Sequence, residues 1–103
     1  MTARDFLTTN PLLSDRSRLA ILSTLVAEAV AVDFNGMLKR LEMTKGNFSV
    51  HASKLEQAGL IEIDKKFVGK IPVTAYRATE RGRRELIAYL SEIENLLKAS
   101  LGK

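Results

Sequence analysis

A mainly helical α+β fold is what this sequence predicts, and three observations predict it. Between Thr44 and Gly59, Phe48, Ala52 and Leu55 recur at steps of four and three, which lines one face of a helix with apolar groups. From Leu60 onward the period becomes two, over residues 60–64 and again over 73–78, with Gly69 and Pro72 in the stretch between. Leu86, Leu90, Ile93 and Leu97 then follow at spacings of four, three and four, a heptad-like seam of about two repeats. A chain of 103 residues is about one domain. The expected division is a core over residues 11–79 and a closing helix over 80–101.

Taken in order, residues 2–10 are polar apart from Phe6 and Leu7 and predict an arm or a short helical turn. Asn10-Pro11 marks a turn. Ser14 or Asp15 then caps a first helix whose buried stripe is Leu19, Leu22, Leu25 and Val26, ending near Ala29. The β-branched and aromatic run V-A-V-D-F over residues 30–34 suits a very short strand. Asn35 is expected to start a second helix, Gly36 to Leu41, with Met37, Leu38 and Leu41 as its apolar set. Glu42-Met43 turns the chain into a third helix. Thr44 is placed to cap it, and Gly59 follows its last periodic residue, where a left-handed conformation is wanted. Two short helices joined by about three residues make a helix-turn-helix. The alternating segments form a hairpin whose connection, residues 65–72, reads as a loop with a basic tip. Thr79 caps the last helix, which runs to about Leu101 before a frayed Gly102-Lys103.

Composition narrows the function. There is no cysteine, which excludes disulfides, thiolate metal sites and cysteine catalysis. His51 is the sole histidine, too few for a histidine metal site or a Ser–His–Asp triad. With no nucleophile–base pair and no phosphate-cradling glycine loop, no catalytic residues, metal or cofactor are expected. No apolar run suits a signal peptide or approaches the ~20 residues that span a bilayer, so a cytoplasmic protein without membrane contact is expected. The net charge of +4 is unevenly spread. Eleven cations against five acids lie between Lys39 and Arg84, whereas the rest of the chain holds five cations and seven acids.

The outward face of the third helix carries Lys45, Asn47, Ser49, Val50, Ser53 and Lys54, with no carboxylate before Glu56. Such a face matches the major groove of double-stranded DNA. Asn47 can make two hydrogen bonds to adenine, Val50 can pack on a thymine methyl, and Lys45 and Lys54 can reach guanine or phosphate. The helix N-terminus at Thr44 can hold a phosphate. Gly46 costs ~1 kcal/mol relative to alanine in a helix interior and less in a first turn; its missing side chain would let backbone and DNA approach closely. His51 falls between the two faces, where a phosphate contact and half-buried packing compete. Lys65, Lys66 and Lys70 form a second basic group on the hairpin. A solvated surface is the bland alternative for each set, and a lysine-rich hairpin also guards an edge strand.

Several runs add a resemblance. S-D-R-S-R-L-A-I-L-S-T-L at residues 14–25, M-T-K-G-N-F-S-V-H-A-S-K-L-E-Q-A-G-L-I at 43–61 and T-A-Y-R-A-T-E-R-G-R at 74–83 resemble the first helix, the recognition helix and the wing exit of MarR/ArsR-like winged-helix transcriptional regulators. The likeness spans roughly Pro11 to Leu97, in a short form lacking a separate effector domain. It implies a winged helix-turn-helix with a C-terminal dimerisation helix, a homodimer, and a pseudo-palindromic operator that is usually repressed. On that reading Thr44, Lys45, Gly46, Asn47, Ser49, Val50, His51, Lys54, Lys65, Lys66 and Lys70 meet DNA. Leu86, Leu90, Ile93 and Leu97 carry the dimer. Two departures stand out: Ile71 and Val73 occupy wing positions where relatives often have Arg or Lys, and the cysteine pairs of metal-sensing relatives are absent. A small-molecule effector is not indicated by any residue. The competing reading is a winged-helix module that contacts proteins and not DNA.

Overall fold

A computed structural model of the chain describes residues 10–102, so the arm expected over residues 2–9 lies outside the described residues, as does Lys103. A short 3-10 turn, Pro11–Ser14, opens on Asn10, whose side chain accepts from the Leu12 N–H. Helix α1 is Arg16–Ala27, strand β1 Val32–Asp33, helix α2 Phe34–Leu41 and helix α3 Lys45–Gln57. Strands β2 (Ile61–Val68) and β3 (Ile71–Ala78) precede helix α4, Glu80–Leu101. The helices outweigh a three-stranded antiparallel sheet of order β1-β3-β2.

Caps set most boundaries. Asp15, the second of the two candidates, starts α1 by accepting from the Arg18 N–H at 3.0 Å. Asp33 starts α2 by accepting from the Gly36 N–H, so that helix begins at Phe34 and not after Asn35. Asp33 is both the last strand residue, paired with Ala75, and the cap, which leaves no room for a later start. Thr44 starts α3 and Thr79 starts α4, each through its hydroxyl oxygen. Glu42 adopts φ 53 between α2 and α3, the one non-glycine with positive φ among the described residues. Gly59, at φ 79, ends α3 where only a residue without Cβ sits without strain.

The core joins every element. Ile21, Leu22 and Leu25 of α1, Met37 of α2, and Phe48, Ala52 and Leu55 of α3 are buried against Leu60, Ile61 and Tyr76. Ile21 replaces Leu19 and Val26 at the centre of the α1 stripe, and those two pack half-buried at its margin. Phe48 is wedged edge-on between Phe34 and Tyr76, with ring centroids 5.7 and 5.0 Å away. These T-shaped contacts fix the rotation of α3 about its axis, because Phe48 has one orientation that serves both rings.

Two expectations need correction. Residues 65–72 are not a loop: β2 and β3 stay paired out to Val68 and Ile71, and only Gly69 and Lys70 turn the chain. Leu86 is not on an open seam. It is buried with Tyr89 in the protomer's own core, while Ile87, Leu90, Ile93, Leu97 and Leu101 are exposed along the rest of α4. The helix projects beyond the domain, which measures 61 Å along its longest axis against 25 and 21 Å along the others.

Gly82 explains how α4 is seated. A Cβ at this buried position would lie 2.0 Å from the carbonyl oxygen of Leu60. The Thr79 N–H donates to that same oxygen at 3.1 Å, and the Thr79 hydroxyl donates to the Gly59 carbonyl at 2.7 Å. The start of α4 is thereby fixed to the exit of α3.

Candidate nucleic-acid interface

With Phe48, Ala52 and Leu55 buried, the helical period turns Lys45, Asn47, Ser49, Val50 and Lys54 outward, and all five are exposed. Thr44 is exposed beside them, its hydroxyl accepting from the Asn47 N–H at 3.2 Å. The Lys45 and Gly46 N–H groups precede the first intrahelical bond, and the first turn holds no acid. The positive end of the α3 dipole and Lys45 thus face solvent together, an arrangement that favours an anion. A Cβ on Gly46 would meet nothing within 4 Å. The fold itself does not require glycine there.

His51 departs from the rest of the set. Its side chain is only 15% exposed and turns toward the N-terminal end of α1. Nδ1 lies 3.2 Å from Nη1 of Arg18, whose Nε donates to the Leu12 carbonyl at 2.8 Å. The Asp15 carboxylate stands 3.9 Å from the same ring nitrogen. The Arg18 backbone N–H holds the Asp15 carboxyl below the ordinary value of 3.8 against an opposing cost of desolvation, and the neighbouring charges of His51 and Arg18 add to the lowering. The cluster ties α3 to α1. Arg18 carries no signal in the sequence that would pair it with residue 51, and only the fold brings the two together.

The hairpin stands beside α3. Ser49 and Ser53 of α3 and Lys65 of β2 share a cleft of about 400 Å³ floored by Ile63 and Tyr76. Lys65 and Lys66 are exposed in the middle of β2, paired with Thr74 and Val73, while Lys70 alone occupies the turn. Lys66 Nζ is 3.9 Å from Asp64, but both groups are well exposed, so the pair adds little and leaves the cation available. Glu56 borders this cleft and also a larger groove of about 780 Å³, which is less suited to phosphate because Glu62 and Asp64 line it too. Arg77 is occupied there by a cross-strand ion pair with Glu62 at 2.5 Å. Among the described residues no cluster of acids and histidine could hold a metal ion, and no helix is long and apolar enough to cross a membrane.

The site is therefore one exposed helix face with a basic hairpin next to it. Residues 17–97 match a family model described as a winged helix DNA-binding domain. The chain belongs to that family. Its helix-turn-helix is α2 and α3, and its wing is the β2–β3 hairpin. An uncharacterized protein of Methanocaldococcus jannaschii is 33% identical over 66 residues, covering 64% of this chain and 72% of that protein. A transcriptional regulator homologue from Pyrococcus horikoshii superimposes with a TM-score of 0.84 at 25% identity, covering 96% of this chain and 97% of that one. MepR of S. aureus, solved in complex with DNA, gives 0.70 at 18% identity over 87% of this chain and 76% of its own. A MarR-family regulator from a Rhodococcus species gives 0.66 at 17%, over 94% of this chain and 71% of its own. The winged-helix fold is thus the one found in MarR-family transcriptional regulators.

Proposed function

We propose that this chain is a sequence-specific, double-stranded-DNA-binding transcriptional regulator that acts as a homodimer, a repressor on a pseudo-palindromic operator. The observation that carries the reading is the outward face of α3, where Lys45, Asn47, Ser49, Val50 and Lys54 surround an acid-free helix N-terminus. Asn47 and Val50 read base edges in the major groove, and Lys45 and Lys54 reach guanine or phosphate. Thr44 and the N–H groups beyond it hold a phosphate. Lys65, Lys66 and Lys70 hold further phosphates from the wing. His51 acts by positioning the helix. MepR, a protein of the same fold, has been seen on DNA, which supports the choice of ligand.

The chain acts as a single winged-helix domain, with the core over 11–79 and α4 as the dimer element. In the dimer, Leu90, Ile93 and Leu97 of each α4 face the partner, a stripe the protomer leaves uncovered. Two-fold symmetry then sets the two α3 helices about 34 Å apart, one DNA turn, on one side of the duplex.

The test is binding of the full chain to a mixed-sequence duplex at two salt concentrations, then selection of bound fragments from a random pool. Affinity should fall steeply with salt, by about 0.9 in logarithmic slope for each phosphate neutralised. Asn47→Ala should relax preference at one position of the selected site, and Lys66→Ala should weaken all duplexes alike. Salt-independent binding, or none, would instead favour a winged-helix module for protein contacts.

A further inference from the structure

We propose that the tip of the wing is an apolar wedge that enters the minor groove of duplex DNA, steadied by the lysines beside it. This rests on the reading of the chain as a DNA binder and adds a mode of contact that lysines alone do not supply.

The outer rungs of the hairpin are apolar on both faces. Phe67 pairs with Pro72 and Val68 with Ile71, and successive residues of a strand point to opposite sides. Phe67 is 72% exposed, Val68 60% and Ile71 66%. None of them belongs to the hydrophobic core or packs against it. The two-residue turn at Gly69 and Lys70, with Gly69 at φ 65, keeps the tip one hairpin wide. Exposed Phe, Val and Ile side chains at a hairpin end add nothing to this core and invite edge aggregation, so their presence points to an occupant.

Charge selects the occupant. No acid occurs between residues 65 and 79; Lys65 and Lys66 precede the apolar groups on β2, and Lys70 lies in the turn between them. The core of a protein–protein contact is depleted in lysine, and two copies meeting tip to tip would press these cations together. A phosphate-walled groove accepts both features: the lysines meet the two backbones while Phe67 and Ile71 press between base steps. Apolar side chains placed this way partly unstack a step and kink the duplex toward its major groove. The same hairpin shares a cleft with Ser49 and Ser53 of α3, so wing and helix serve one ligand.

The test uses the full chain on closed-circular plasmid relaxed by topoisomerase I, deproteinised and resolved into topoisomers. Bound wild-type protein should shift the distribution in proportion to occupancy. Phe67→Ala/Ile71→Ala, compared at equal occupancy by raising its concentration, should abolish the shift with an unchanged circular dichroism spectrum. Lys66→Ala should weaken binding yet keep the shift per bound protomer. A double variant that shifts topoisomers as the wild type does would overturn the wedge. Wild-type binding without any shift would overturn the wedge alone and leave DNA binding standing, whereas no plasmid binding would remove both readings. Co-sedimentation with phosphatidylserine vesicles that the double variant loses, without a plasmid shift, would assign the tip to a membrane and overturn the proposal.

Discussion

Nη1 of Arg18, on the first helix, lies 3.2 Å from Nδ1 of His51, on the helix proposed to read DNA. Arginine keeps its proton at any accessible pH, so it donates and Nδ1 accepts. Arg18 also holds the Leu12 carbonyl, and it thereby braces α3 from behind. Replacing Arg18 with Leu removes both bonds and should lower stability by about 1–3 kcal/mol in urea denaturation. DNA affinity should fall without a change in preferred sequence, because neither residue faces the groove. A variant as stable as wild type would show the brace to be idle.

The two glycines at helix starts predict opposite outcomes. At Gly82 a Cβ would meet the Leu60 carbonyl oxygen at 2.0 Å, so Gly82→Ala must displace either α4 or the exit of α3. A loss of about 3 kcal/mol is expected, read as a lower denaturation midpoint. At Gly46 the space is open, and Gly46→Ala should stabilise the free protein by up to about 1 kcal/mol. The same change should reduce DNA affinity if the backbone needs close approach there. Higher stability with unaltered affinity would reduce Gly46 to an ordinary first-turn residue.

Alkaline pH should act through Tyr76. Burial raises its phenol above the ordinary value of 10.0, and the charge of Glu56 adds to the effect. The fold thus favours the neutral phenol. The contribution is fully present below the unfolded value and is lost as pH rises through the higher folded one. Denaturation midpoints at about pH 8 and about pH 11 should therefore differ more for wild type than for Tyr76→Phe. Equal differences would mean that Tyr76 does not set the alkaline limb.

Two leucines one turn apart on α4 separate folding from assembly. Leu86 is 5% exposed, and Leu86→Ala should cost the protomer about 2–5 kcal/mol. Leu90 is 47% exposed, and Leu90→Asp should leave the protomer folded while yielding monomers in sedimentation velocity. A dimer that survives Leu90→Asp would remove this stripe from the interface.

Much of the molecule was legible because single residues decide local structure. Thr44, Gly59 and Thr79 end or start helices through bonds and backbone angles that depend on side-chain type alone. The spacing of Phe48, Ala52 and Leu55 was enough to orient α3. The hairpin was misjudged for a physical reason. Beyond Asp64 both faces of β2 meet solvent, so Lys65-Lys66-Phe67-Val68 shows no alternation, and its strand character comes from pairing with β3. Leu86 follows the same heptad step as Leu90, and only the close seating at Gly82 decides that one is inside and the other out. The Arg18–His51 contact joins residues 33 apart and has no local signature.

The seating of α4 on Leu60 has a mechanical consequence. A helix of 22 residues is a rod of about 33 Å, and here its base is clamped to the segment through which α3 leaves the core. Slack between rod and reader is absent at that joint. In the proposed dimer, a tilt imposed on the far ends of the paired rods would swing the two reading helices apart or together, so the distance between half-sites and the angle of the stalks are a single variable.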